Sequence, residues 1–214
     1  MVEALVYLAL AAGLLFFFGW RAILCVAPQS ARVEVETPAD ATVIPPELED
    51  AWAEFKQLGF TLLGAHSEKF WLRAPVLFVD GVHATEPVVV SLTVGPDAHD
   101  HTTLWTMSDR GFVITSNFKR PSREVSGRYL SGSIDGASHE RLVKVHLRRV
   151  PEIGAAQRLD TLEKRVDAAR AWFQDKGKPE LRQQHALGLL WSIGAVGMVC
   201  AAFSKLWDIF ETTQ

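Results

Sequence analysis

Apolar and polar positions alternate most regularly between Pro87 and Phe118, PVVVSLTVGPDAHDHTTLWTMSDRGFVITSNF. Val88 to Val94, His101 to Met107 and Gly111 to Phe118 are rich in β-branched and aromatic residues, and Gly-Pro-Asp and Ser-Asp-Arg-Gly clusters separate them. This punctuation predicts consecutive antiparallel strands. Val88, Val90, Leu92 and Val94 share one face, and Val113 alternates with Phe112 and Ile114, as the pleat of a half-buried sheet requires. Such a meander needs a helical cover.

The flanking segments supply it. Pro45-Pro46 opens a helix with Leu48, Trp52, Phe55 and Leu58 on one side and Glu47, Glu49, Asp50 and Glu54 largely on the other; Gly59 ends it. Proline and acids in a first turn suit its missing donors and its dipole. Phe60 to Leu63 and Phe70 to Arg73 read as short strands, and Val76 to Val79 leads into Asp80-Gly81, a two-residue hairpin signal. Tyr129 to Ile134 adds a strand closed by Asp135-Gly136. Ser138 is placed to cap a helix through about Arg149, with the stripe Leu142, Val143, His146, Leu147 and Val150. A second helix, roughly Ala155 to Phe173, repeats Leu159, Leu162, Val166, Ala169 and Trp172 at spacings of three and four. The fold class expected is α+β, an antiparallel sheet covered by helices, with Trp52, Phe55, Leu142 and Leu162 in the covering layer.

Both chain ends break this pattern. Ala4 to Trp20 is an unbroken apolar run, continued by Ala22 to Ala27 after Arg21, and with Arg21 snorkelling it is long enough to cross a ~30 Å hydrocarbon core. A secretory signal would begin with a basic region, whereas this run carries Glu3 and places its arginine at the far end, so an uncleaved anchor is expected. Ala186 to Ser204 is a second span, with glycines at 188, 194 and 197. Ala9/Gly13 and Gly197/Ala201 are small-xxx-small pairs of the kind that let helices approach. The expected organisation is therefore a transmembrane helix at 4–27, a polar linker at 28–45, a soluble domain at 46–175, a connector at 176–185, a transmembrane helix at 186–204 and a tail at 205–214. Arg21, Arg32, Lys176, Lys178 and Arg182 flank the spans on the domain side against Lys205 beyond them, which predicts a cytoplasmic domain with both termini on the far side.

Composition narrows the chemistry. The 214 residues are 48% hydrophobic and carry 22 basic and 25 acidic side chains, a net charge of −3, so no global excess argues for nucleic acid. Both cysteines, Cys25 and Cys200, lie at the apolar ends, which removes a disulfide scaffold and a cysteine metal cluster from the domain. No serine stands in G-x-S-x-G, and Gly177-Lys178 lacks the strand and spaced glycine of a phosphate loop. His146, on an apolar helix stripe, is expected to be a hydrogen-bonded core histidine.

Two clusters remain. Asp97, His99 and His101 concentrate carboxylate and imidazole in one loop with Asp100, and in extended backbone His99 and His101 share a face; they are candidate ligands for a divalent transition metal, with His83 in a neighbouring hairpin. The alternative is a solvated connection without a cofactor. Lys119, Arg120, Arg123 and Arg128 form a basic loop beside Phe118 and Tyr129, a candidate contact for anionic headgroups or an acidic partner, or a solvated loop offset by Glu124.

Leu58-Gly59-Phe60 after an amphipathic helix, followed by Leu104-Trp-Thr-Met-Ser-Asp-Arg-Gly-Phe-Val-Ile-Thr-Ser-Asn, resembles a group of uncharacterised bacterial membrane-anchored α+β proteins. The resemblance covers roughly Pro46 to Val150, and Arg110, between Asp109 and Gly111, departs from the group's turn. It implies a bacterial inner-membrane address and no activity. The leading expectation is a non-catalytic accessory or interaction subunit with a membrane-protein partner or a second copy of itself. The alternative is a metal- or small-ligand-binding sensor or hydrolase using the His99/His101 loop.

Overall fold

A computed structural model describes residues 2–36, 44–71, 73–96, 98–120, 122–125 and 129–212. They form two compact units, one of residues 1–31, 70–74 and 177–214, the other of residues 32–69 and 75–176.

The larger unit is α+β. Among the described residues its strands are β1 (Arg32–Val35), β2 (Phe60–Lys69), β3 (Val76–His83), β4 (Val89–Val94), β5 (Asp100–Ser108), β6 (Phe112–Ser116), β7 (Arg123–Val125), β8 (Tyr129–Ser133) and the short β9 (Ala156–Gln157). They make one sheet in the order β1-β2-β3-β4-β5-β6-β8-β7, with β9 pairing β5. Every pairing is antiparallel except β6 with β8. The β5–β6 turn forms where Ser108 to Gly111 predicts it: the Ser108 hydroxyl oxygen accepts from the backbone N–H groups of Arg110 and Gly111.

Helices lie on both faces. A 3₁₀ turn (Pro46–Leu48) leads into α2 (Glu49–Gln57), which ends before Gly59 at φ +91°. The helix α3 (His139–Arg149) begins at Ser138, whose side chain accepts from the Arg141 N–H. Phe55, Leu48 and Ala51 from the first and Leu142 and Val143 from the second pack with Phe60, Val79, Val88, Val90, Leu92 and Leu104 in one apolar core. The helix α4 (Leu162–Ala171), capped by Thr161 and continued by a π turn (Trp172–Lys176), contacts the residues that alternate with these. Its Leu162 fits over Gly64, where a Cβ would come within 2.9 Å of the leucine. The expected single covering layer is thus two layers, with Phe55 and Leu142 on one side of the sheet and Leu162 on the other.

Several boundaries differ from expectation. Asp80-Gly81 is not a turn but the middle of β3, and the chain reverses between His83 and Val89 instead. Asp80 is fully buried in ion pairs, and a Cβ at position 81 would stand 2.6 Å from the Trp52 ring, so this glycine serves close packing. The strand expected at Phe60 to Leu63 runs on to Lys69 with a bulge between Leu62 and Gly64, and Phe70, Trp71 and Arg73, where the sequence predicts a second short strand, lie in the connection to β3. Part of the 28–45 linker is ordered, because Pro28–Ser30 is a 3₁₀ turn and Arg32–Val35 pairs with β2. The basic loop contains β7. The helix expected from Ala155 starts only at Leu162, since Ala156–Gln157 pairs with β5.

The smaller unit is a helical hairpin of α1 (Val2–Val26) and α5 (Lys178–Thr212), both long and apolar enough to cross a membrane. The helix α5 runs through the expected connector, second span and most of the tail without a break. Its buried small residues are Gly188, Ser192, Ala195 and Ala202, of which Gly188, Ala195 and Ala202 recur at intervals of seven, as do Ala4 and Ala11 in α1. That spacing is a knobs-into-holes seam. A Cβ at Gly13 or Gly197 would meet nothing within 4 Å, so the expected small-xxx-small pairs lie outside the seam.

Candidate functional site

The sequence's two clusters come out differently from one another. In the first, Asp97 lies outside the described residues, His99 is exposed in the β4–β5 turn, and the His101 ring stacks on Phe118 at 4.4 Å. The His83 Nδ1 accepts from the N–H groups of Thr85 and Glu86, at 3.2 and 3.0 Å. Among the described residues, no three His, Cys, Asp or Glu side chains are grouped to hold an ion. In the basic cluster, Arg128 lies outside the described residues. Lys119 is exposed, the Arg120 guanidinium stands 6.0 Å from the Trp172 ring, and Arg123 opens β7 beside Glu124, which pairs with Arg149 at 3.6 Å.

The most concentrated polar chemistry was not singled out in the sequence. Under α4, adjacent strands bring His66, Asp80 and Ser91 together, and Arg165 reaches them from the helix. All four are buried. The Asp80 carboxylate accepts from the His66 Nδ1 and, at 2.5 Å, from the Ser91 hydroxyl, and its Oδ1 stands 3.3 Å from the Arg165 Nε. Arg165 also donates to the Ser91 oxygen through Nε and Nη2, at 3.2 and 3.0 Å, and lies 4.6 Å above the Trp105 ring. Burial opposes the charged imidazolium of His66, but the Asp80 carboxylate, with Glu68 at 3.8 Å on the other ring nitrogen, more than offsets it and raises the pKa. Burial likewise opposes the Asp80 carboxylate, and the charges of His66 and Arg165 overcome it and hold its pKa below the ordinary value. Two cations and two anions balance.

This set contains Ser, His and Asp in the wrong order for acyl transfer. The serine hydroxyl donates to the acid rather than to the imidazole, and its oxygen is occupied by the guanidinium, so no base is placed to take its proton. Its chemistry is that of an internal ion-pair network. The signals for it were a carboxylate within the apolar run Val76 to Val82 and an arginine three residues after Leu162 and four before Ala169, on the stripe that faces the sheet.

On the opposite face two histidines take opposite charge states. His139 has Glu54 at 2.7 Å on Nδ1 and Asp100 at 3.0 Å on Nε2. Both nitrogens must donate, which is an imidazolium. Burial works against that charge, and the hydrogen bonds to Asp100 and Glu54 outweigh it, so the pKa is raised. Asp100, which also accepts from Thr102 and Asn117, is lowered correspondingly, its desolvation being outweighed by the His139 hydrogen bond first of all. His146 is wholly buried, with Thr106 at Nε2 and Thr115 at Nδ1, each at 2.9 Å. The Thr106 hydroxyl spends its proton on the Pro87 carbonyl, so Nε2 donates to Thr106 and Nδ1 accepts from Thr115, which fixes a neutral tautomer. Desolvation, aided by the Arg149 charge, lowers this pKa to about 3. This is the core histidine the helix stripe predicts.

A cleft of about 420 Å³ beside β9 is lined by Met107, Gln157, Arg158, Leu159, Lys164 and Asp167, and none of these histidines opens onto it. Comparison with family models, curated proteins and solved structures gives no match for this chain.

Proposed function

We propose that this chain is a membrane-anchored, non-catalytic accessory or interaction subunit of a bacterial inner membrane, holding its α+β domain on the cytoplasmic side for a membrane-protein partner or a second copy. The observation that carries the proposal is the division of the chain's polar chemistry. His66 and Arg165 are paired with Asp80, and His139 with Asp100 and Glu54, inside the domain, while the two apolar helices leave Leu5, Phe16, Leu190, Ile193 and Phe203 exposed, as lipid-facing residues are. Arg21, Arg32, Lys176, Lys178 and Arg182 on the domain side of the spans, against Lys205 beyond them, support the cytoplasmic orientation.

A reporter active only outside the cytoplasm tests the orientation. Fused after Gln214 it is expected to be active, and inserted at Pro96 in the β4–β5 turn it is expected to be silent. Activity at Pro96 with silence at Gln214 would reverse the topology and place the partner on the other side.

A further inference from the structure

The hairpin unit gathers two guanidiniums around one indole. Trp20 is held by its indole N–H, which donates to the Phe17 carbonyl at 3.1 Å. Two guanidiniums lie over its ring, that of Arg73 at 4.7 Å from the centroid and that of Arg21 at 5.3 Å. The seat of Arg21 is Gly188: a Cβ there would fall 2.3 Å from the Arg21 Cβ and 3.4 Å from its Cγ, so only glycine admits the arginine stem. Arg73 arrives from the β2–β3 connection, residues 70–74, which packs within this unit. On the same segment Trp71 is 64% exposed, and Phe70 lies 6.3 Å from Trp20.

Depth is fixed by the other end of the hairpin, where Lys205 pairs with Glu3. At 1.5 Å per residue the Glu3 and Arg21 levels of α1 stand about 27 Å apart, close to the ~30 Å of a hydrocarbon core. Trp20, Arg21, Trp71 and Arg73 therefore sit at the opposite interface, where tryptophan and arginine meet headgroups. Among the described residues neither arginine has a carboxylate partner within 4 Å. Guanidinium forks match phosphate geometry, and stacking on one indole pre-orients them.

We propose that Arg21, Arg73 and Trp20 form a headgroup site for an anionic phospholipid, with Trp71 bordering it in the interface. The site rests on the membrane-spanning reading of the two helices and is separate from the Lys119 to Arg128 loop.

The full chain, reconstituted in mixed phosphatidylcholine and phosphatidylglycerol and then released in mild detergent, tests this by native mass spectrometry of retained lipid. The wild type is expected to keep phosphatidylglycerol over phosphatidylcholine. Arg73→Gln should lower that preference about fivefold, as loss of one interfacial charge implies, and Arg73→Lys should lower it less. Because Arg21 packs against Gly188, Arg21→Gln is a supporting variant, and Arg73→Gln, at the end of a connecting segment, is the deciding one. Lys119→Gln should leave the preference unchanged. An unchanged preference in Arg73→Gln, or a loss in Lys119→Gln alone, would overturn the site. Displacement of the lipid by millimolar inorganic phosphate would overturn the lipid assignment in favour of a soluble phosphate. Carbonate extraction of the same membranes separates this from the reading beneath it: a resistant chain without lipid preference defeats only the headgroup site, whereas an extractable chain defeats the membrane span.

Discussion

Beneath α2 and α3 the sheet offers Val79, Val90, Leu92 and Leu104 to Phe55 and Leu142, whereas beneath α4 the alternate positions offer Asp80, Ser91 and Trp105 to Arg165 and Trp172. The same strands supply both sets, because successive side chains point to opposite faces. One face is held chiefly by apolar burial, which is non-directional and tolerates volume-conserving exchange, with the hydrogen bonds of His139 and His146 beside it. The other is held by charges that have left water, which is stable only while every partner is present. A charge network under a helix fixes which residues of that helix can meet the sheet.

The largest effects should come from breaking each face once. Arg165→Met strands the Asp80 carboxylate in a dry site and should destabilise the chain by about 3–5 kcal/mol, measured by denaturant unfolding in nanodiscs. Phe55→Ala, which opens a cavity on the other face, should remove a similar ~3–5 kcal/mol. The two share no partner, so their combination should be additive to within about 0.5 kcal/mol. Strong coupling would mean that the faces are not independent. Replacing His66, Asp80 and Arg165 together by apolar residues of like volume should restore much of what Arg165→Met loses.

The pH profile distinguishes the histidines. Below an unfolded-state value near 6.5, unfolded His146 takes up a proton that the folded core refuses until about pH 3. Stability must therefore rise with pH between about 5 and 6, with a slope approaching ~1.4 kcal/mol per unit at the lower end. In that window His66 and His139, whose folded pKa values are raised, are largely protonated in both states and contribute little slope. Above about 6.5 they lose protons in the unfolded chain first, so the stabilisation they give, complete at lower pH, declines as pH climbs through their folded values. A maximum between about pH 6 and 6.5 is expected, and His146→Gln should reduce the slope of its acid side while leaving its alkaline side in place. A profile unchanged by that substitution would remove His146 from the account.

Much of this was legible in the chain. The meander from Val88 to Phe118, the Ser108 to Gly111 turn, the Ser138 cap and the two apolar ends follow from local periodicity and punctuation, which depend on near neighbours. Asp80-Gly81 misled because a dipeptide signal carries no information about Trp52 or Arg165, which meet it from distant helices. The strand Arg32–Val35 was hidden for a related reason: a short polar edge strand has no core-facing pattern, and it is fixed by pairing with β2 and by Arg170, which donates to the Val33 carbonyl. A soluble fragment should accordingly begin at Arg32 rather than at Pro46. The parallel return of β8 beside β6 was also unreadable, since strand propensity does not encode direction.

Smaller perturbations sharpen the same contrast. Gly81→Ala should destabilise by about 1–3 kcal/mol through overpacking against Trp52, whereas alanine in a solvated hairpin turn would leave the ring untouched. His99→Ala with His101→Ala should shift stability by only ~0.5–1 kcal/mol, the worth of the lost stacking on Phe118. Elemental analysis of the purified wild type is expected to find no stoichiometric transition metal. One metal per chain, lost in the double variant, would move the sensor or hydrolase reading ahead.

Photo-cross-linking in intact membranes bears most directly on the proposal of a membrane-anchored domain that holds a partner, with a photoreactive residue placed singly at exposed positions of the domain such as Glu140, Glu163 and Lys119 and at exposed Phe16 of α1 as control. One membrane protein, or a second copy of this chain, should be captured reproducibly from a contiguous set of domain positions, with Arg165→Met abolishing capture in step with folding. A chain that remains an uncross-linked monomer at every position would contradict the proposal.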